Sequence, residues 1–328
     1  MAERRFRLAP PLRFLTKVSL KGEILMKIRL ISGTVYIAIL IAFFTLKIVV
    51  PTVGGVPYGD FCFDVLIYAF ALMGTFEMLR AVKEKTGKAE RGIVYTFAAV
   101  TIPAVALCQW KWGMGWAVIG GCVMLLAVAL LSLLVLAHEK VTLEGLGLSL
   151  FSAVYPTLLL CLLVLTNHVS GGARLSRFAL DSRIMILLIF VVSPCADSVA
   201  YLFGRYMKGK FPKKMAPKLS PNKTVIGGIG GLVGGILGAV ALYFIYNACV
   251  GSFDKMEIVL PVYMAIGLFA AVATAFGDLV ESSIKRKVGL KDMGNIMPGH
   301  GGALDRLDGT LFATIVVYVA FAAIHLIA

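Results

Sequence analysis

The sequence predicts an all-α polytopic integral membrane protein with about nine transmembrane helices, its N-terminus cytoplasmic and its C-terminus outside. Three observations carry this. Of 328 residues, 59% are hydrophobic and only 15% charged, with a mean hydropathy of +0.89, and a soluble domain of this size would expose too much apolar surface. The apolar residues fall into runs of about 18–24, close to the ~20 that cross a bilayer as a helix. The net charge of +14 comes from cations lying between those runs, which suits topology and excludes nucleic acid as the partner.

The runs lie at about 33–51, 61–79, 92–110, 114–137, 145–166, 184–203, 225–247, 259–281 and 310–327. They lack the alternation of barrel strands, and backbone groups in lipid must bond within their own segment, so helices are expected. The cation-rich segments are 1–32, 80–91, 204–224 and 282–309. Nine spans put all four on one side, the cytoplasmic side by the positive-inside rule. Three regions follow: a basic segment 1–32, N-terminal transmembrane helices over 33–182, and a C-terminal region 183–328 with polar loops 204–224 and 282–309. Residues 1–25 stand as an extension without an assigned role, because Met26 opens "MKIRLISG". The first run is long enough to span, so no cleavable signal peptide is expected. Six cysteines without a CxxC pair read as small hydrophobes.

Chemistry concentrates in the polar loops and their edges. Asp278 ends an apolar run, where a charge costs roughly 2.5–3.5 kcal/mol and needs a partner or water. On a helix it shares a face with Glu281, Ser282 and Lys285, so an interfacial pair with Lys285 is the plain alternative. Asp305 and Asp308 are spaced i, i+3 and present two carboxylates to one side of a helix. Clustered hard oxygens beside phosphates suit Mg²⁺, while Asp308 could instead cap the last span. "PGHGG" (298–302) places His300 among residues that let the backbone approach a ligand closely. Lys285, Arg286, Lys287 and Lys291 could be topogenic, meet anionic headgroups, or neutralise a polyphosphate. Upstream, Asp197 lies inside an apolar run, and "SPNKT" (220–224) precedes a helix whose N-terminus, with Lys223, offers a phosphate site. The P-loop spacing is absent. The glycines of 227–238 fit close helix packing.

These motifs resemble the phosphatidate cytidylyltransferase, or CDP-diacylglycerol synthase, family. The family's C-terminal signature is matched in register by Ser282, Ile284, Lys285, Arg286, Lys291, Asp292, Gly294, Pro298, His300, Gly301, Gly302, Asp305, Arg306 and Asp308. Its upstream elements are matched by Asp197, Ala200, Tyr201, Gly204, Arg205, Pro217, Leu219, Ser220, Pro221, Lys223 and Thr224. The likeness covers about 193–310 and is only one of hydropathy before that. Met297, Ala303 and Val199 are mild departures; Ile226 stands where the family has Glu.

The resemblance implies that CTP and phosphatidic acid give CDP-diacylglycerol and pyrophosphate. It implies Mg²⁺ on Asp278, Asp305 and Asp308, and leaves a second cation open. Lys223, Lys285 and His300 would join the catalytic set. Asp197, Arg205, Ser220, Thr224, Lys291, Asp292, Gly301, Gly302 and Arg306 would bind substrate. It also implies membrane lipid surroundings, a homodimer, and a bacterial inner membrane with the site facing the cytoplasm. The rivals are a CTP-dependent polyprenol kinase, a CDP-ether-lipid synthase and a transporter of anionic substrates.

Overall fold

The computed structural model describes residues 12–169, 181–250, 256–299 and 301–327. Its elements are α1 (Leu12–Val49), a hairpin of β1 (Thr52–Val53) and β2 (Val56–Pro57), α2 (Tyr58–Ala81), α3 (Lys88–Trp112), α4 (Gly115–Leu136), α5 (Leu143–Ala153) and a π-helical turn (Val154–Leu158). There follow α6 (Leu159–Asn167), α7 (Ser182–Met207), a second hairpin of β3 (Lys214–Ala216) and β4 (Ser220–Thr224), α8 (Val225–Val250), α9 (Met256–Lys287) and α10 (Leu304–Ile327). Among the described residues nine segments are long and apolar enough to cross a membrane, with Leu143–Asn167 counting as one. The all-α polytopic architecture is therefore as the sequence predicts.

Local chemistry sets the boundaries. Asp181 caps α7 by accepting from the N–H groups of Arg183 and Ile184, both at 2.9 Å. Thr142 does the same for α5 through Gly145, satisfying donors that a helix start leaves unpaired. Pro156, which has no N–H, sits in the π turn between α5 and α6, and a widened turn absorbs the missing bond. The outward face of α4 leaves Leu125, Val135 and Leu136 exposed while Leu126 and Leu130 are buried, as expected of a helix that meets lipid on one side.

One boundary differs from expectation. The polar stretch 282–309 is not a loop throughout: α9 continues to Lys287 and α10 begins at Leu304, leaving only 288–303 between them. Loss of hydropathy marks where the hydrocarbon ends. The helical hydrogen bonds carry on past that point because water does not break them. The residues 204–207 likewise belong to α7.

The C-terminal half packs through small residues. A side chain at Gly234 of α8 would overlap the Cys195 carbonyl and Val199 of α7, and one at Gly235 would overlap Ala271 of α9. Such close backbone approach drives helix association where lipid removes the hydrophobic incentive.

The helix ends opposite the polar loops hold a buried network. Lys47 of α1, its side chain 2% exposed, pairs with Asp60 of α2 and donates to the carbonyl of Asn167 at 3.1 Å. Asn167 donates to Asp64 at 2.8 Å, and the His168 ring is 2.5 Å from the other Asp64 oxygen. The network ties α1, α2 and α6 together. Removing one member of a buried pair strands the other and costs about 3–5 kcal/mol. Lys47→Ala is accordingly expected to lower the unfolding temperature clearly in detergent. Specific turnover of the folded fraction should stay within about twofold, because the polar loops lie at the other helix ends.

Candidate active site

The site is built where five helix ends, of α2, α7, α8, α9 and α10, meet on the polar-loop side. Its foundation is the start of α10, whose first N–H groups have no partner within the helix. Glu77 of α2, 1% exposed, supplies one: Ala303 N–H donates to Oε1 and Leu304 N–H to Oε2, both at 2.9 Å. The carboxylate also meets the helix's positive end. Gly294 and Gly302 flank it so closely that a Cβ at either would collide with it. Asp308 is thus not the cap of the last span; its Oδ1 accepts from the neighbouring Gly309 N–H at 2.6 Å.

Asp305 forms a second tie. One carboxylate oxygen accepts from the N–H groups of Met293 at 2.9 Å and Gly302 at 2.8 Å. The other accepts from Lys285 Nζ at 2.7 Å. Lys285 also lies 3.2 Å from Glu281, whose side chain is fully buried and has no well-aligned hydrogen-bond donor for either oxygen. Asp305, Lys285 and Gly302 therefore clamp the 288–303 loop onto α9 and α10.

Three other acids converge beside this scaffold. Gly309 of α10 approaches so close that a Cβ there would overlap Thr274 of α9 and Ser193 of α7. One turn onward from those contacts stand Asp278 and Asp197, since residues four apart share a helix face, and Asp308 precedes Gly309. The three carboxylates act electrostatically on one another. Asp278 pairs with Lys223, arriving from the end of β4, and accepts from Ser282 at 3.4 Å. The plain alternative of an Asp278–Lys285 pair is not what the chain adopts. β4 is positioned by its pairing with β3, Lys214 opposite Thr224. Thr224 is buried and caps α8 by accepting from Gly227 N–H at 3.1 Å.

Two cavities meet at these acids, and a third adjoins the second through Met297 and Arg306. One of about 700 Å³ is lined by Asp197, Arg205, Asn222, Lys223, Thr224 and Asp278, with Arg205 donating to the Tyr201 hydroxyl at 2.8 Å. A second, of about 610 Å³, is an apolar groove between α1 and α7 that reaches Asp197, Arg306 and Asp308 at its polar end. A third, of about 560 Å³, is lined by Lys291, Asp292, Gly301 and Arg306 together with Arg29 of α1.

The structure thus gathers Asp197, Arg205, Lys223, Thr224, Asp278, Arg306 and Asp308 around two adjoining cavities. Lys291, Asp292 and Gly301 stand at the third, and Lys285, Asp305 and Gly302 lie beneath. Ser220 opens β4 opposite Ala216 and does not line these cavities. His300 lies outside the described residues. Glu77, Glu281, Asn222 and Arg29 are additional. Glu77 was detectable in principle: like Asp278, it is an acid inside an apolar run.

The donors fit Mg²⁺ in kind. Among the described residues no three His, Cys, Asp or Glu side chains close around a metal by themselves, but Mg²⁺ takes one or two carboxylates and completes its shell with water and substrate phosphate. Asp278 and Asp308 face cavities and offer such oxygens, whereas Asp305 is already engaged by three donors.

Comparison with known proteins agrees with this architecture. The model of the cytidylyltransferase family matches residues 28–324, and the chain belongs to that family. Among its relatives are phosphatidate cytidylyltransferases of Thermotoga maritima, 36% identical over 137 residues (41% of this chain, 48% of the relative), and of Staphylococcus aureus, 45% identical over 129 residues (39% and 45%). The enzyme of that name from Staphylococcus saprophyticus is 41% identical over 127 residues (39% and 45%). The chain spans about half the length of the curated relatives it matches.

Proposed function

We propose that the protein is a phosphatidate cytidylyltransferase, transferring the cytidylyl group of CTP to phosphatidic acid with release of pyrophosphate. The observation that carries this is the meeting of two cavities, one lined by Arg205, Lys208 and Lys223 and the other by the apolar stripe of α1, at one acidic and basic centre. Asp197 lines both the cation-bearing cavity and the apolar groove. The first suits a nucleotide, and the second suits acyl chains that never leave the membrane.

A lipid phosphate oxygen attacks the α-phosphorus of CTP. A new P–O bond forms, the bond from the α-phosphorus to the bridging oxygen breaks, and pyrophosphate departs with that oxygen's electron pair. A phosphate monoester is already a competent nucleophile, so the protein's work is positioning and charge neutralisation. Lys223 and Arg205 meet the nucleotide phosphates in the cavity they line. Arg306, at the end of the apolar groove, holds the lipid phosphate near them. Thr224 fixes the start of α8, and Asp278 holds Lys223 in place until phosphates arrive. Asp278 and Asp308 would hold Mg²⁺, which supplies neutralisation of the triphosphate and of the leaving pyrophosphate. Gly301, which lines the third cavity, shapes the backbone around the phosphates. By the positive-inside rule this face is cytoplasmic.

The test uses the full chain in mixed micelles, with CTP and either phosphatidic acid or a prenol, with and without Mg²⁺. Pyrophosphate and a CDP-lipid are expected, only with phosphatidic acid and Mg²⁺. Formation of CDP and a phosphorylated prenol would overturn the reading in favour of a kinase. Absence of nucleotide turnover under all conditions would favour a transporter.

A further inference from the structure

The apolar groove and the basic pocket share two lining residues, Met297 and Arg306. They also share a helix. Ser32, Gly33, Tyr36, Ile37, Leu40 and Phe44 of α1 line the groove. These positions recur at three- and four-residue steps, one stripe along the helix. Arg29 stands one turn before Ser32 and Gly33 on the same stripe, and it lines the basic pocket. The apolar stripe thus ends in a guanidinium.

Arg29 is held there. Its Nε donates to the Gly299 carbonyl at 2.9 Å. Gly299 has φ +74, and a Cβ on it would press against Arg29 and Ile28, so only glycine lets the turn seat on α1. The turn is closed by Met297 N–H donating to the Gly301 carbonyl at 2.9 Å. With Nε committed, the two terminal nitrogens remain for a ligand. Three cations (Arg29, Lys291, Arg306) against one acid (Asp292) line the pocket, and an arginine fork suits phosphate oxygens.

We propose that Arg29 is a lipid-selecting residue: from the top of the α1 stripe it grips the phosphate of the lipid whose chains lie in the groove below, and through Gly299 it couples that grip to the signature loop. This rests on the proposed cytidylyltransferase reaction. The shared chemistry is a terminal phosphate, which a nucleotide polyphosphate also carries. Continuity of the stripe with Arg29 favours the lipid, because the groove leads to this pocket and to Arg306.

The experiment compares wild type, Arg29→Gln, Arg29→Lys and Arg29→Ala in full-length protein. It measures binding of dioctanoyl phosphatidic acid, CTP and inorganic pyrophosphate by calorimetry, and KM for lipid and for CTP. Glutamine can still donate to Gly299 but has no charge. A charge-assisted hydrogen bond lost is worth about tenfold or more. Arg29→Gln should therefore weaken phosphatidic acid binding and raise the lipid KM by about tenfold, with CTP and pyrophosphate affected less than about twofold. Arg29→Lys should recover part of the loss. Weakened CTP or pyrophosphate binding with the lipid unchanged would move the pocket to the nucleotide and overturn the proposal. Equal loss of all three ligands would reduce Arg29 to a strut for the loop and also overturn it. If wild type binds phosphatidic acid but forms no CDP-lipid, the proposed reaction fails. The binding comparison then still decides the role of Arg29.

Discussion

Asp278→Asn is expected to reduce CDP-lipid formation by about a hundredfold to a thousandfold, the range found when one preorganised charge is removed from a transition-state site, while the protein stays folded. Asparagine keeps the size and one oxygen but loses the charge. It can neither balance Lys223 nor serve as a strong oxygen ligand for Mg²⁺. Folding should survive because both partners are about 30% exposed (side-chain exposures 27% and 30%), so the freed lysine can turn to water rather than remain stranded. The measurements are turnover with saturating CTP and lipid, and the unfolding temperature in the same detergent. Near-wild-type turnover in the variant would remove Asp278 from the catalytic set.

Glu77→Ala has the opposite signature, with collapse of the fold leading the loss of activity. The residue lies 226 positions before Ala303, yet it holds the N–H groups of Ala303 and Leu304 at the start of α10. Hydrogen bonds to a charged group contribute about 1.5–3 kcal/mol each, so losing two costs roughly 3–6 kcal/mol, a large share of the total stability of a typical domain. Glu77→Gln keeps one acceptor and should fall between. Gly302→Ala should imitate Glu77→Ala, because its methyl would occupy the space of the carboxylate. Unfolding temperatures of the three variants test this, and wild-type stability of Glu77→Ala would refute it. The same contacts bear on how the chain divides. The aligned regions of the Thermotoga and Staphylococcus relatives cover about 40% of it, but the last span is capped from α2. The start of the last span therefore depends on α2 for its cap.

The fold was largely legible because lipid permits few solutions. Twenty apolar residues have to be a helix, and charges between runs must sort by side. The site was legible wherever a charge stood against that rule. Asp197 and Asp278 were conspicuous inside apolar runs, and both line the central cavity with Lys223. Hydropathy did not reveal which charge answers which. Lys285 is i+7 from Asp278 and in easy reach on paper, yet it serves Asp305 and Glu281, while Lys223 comes from a hairpin 55 residues upstream. Such pairings depend on helix packing, and the packing rests on glycine contacts that a composition count does not resolve. Glu77, Asp64 and Lys47 carried the same signal as Asp278, an ionised group within a span, but they answer to partners far away in sequence. Their role is cohesion at both ends of the bundle. The helical character of 282–287 and 304–309 was hidden for another reason: polarity reports the water boundary, and the helices cross it.

The pairing of Lys223 with Asp278 means that the resting site carries its own counter-ion. In the proposed reaction, phosphate binding at this point would be an exchange of partners, the lysine turning to the phosphates as the aspartate gains another cation. An exchange adds little net charge to a cavity walled largely by apolar helix surface. It also makes nucleotide and cation mutually dependent, so that either alone should bind weakly and the two together tightly.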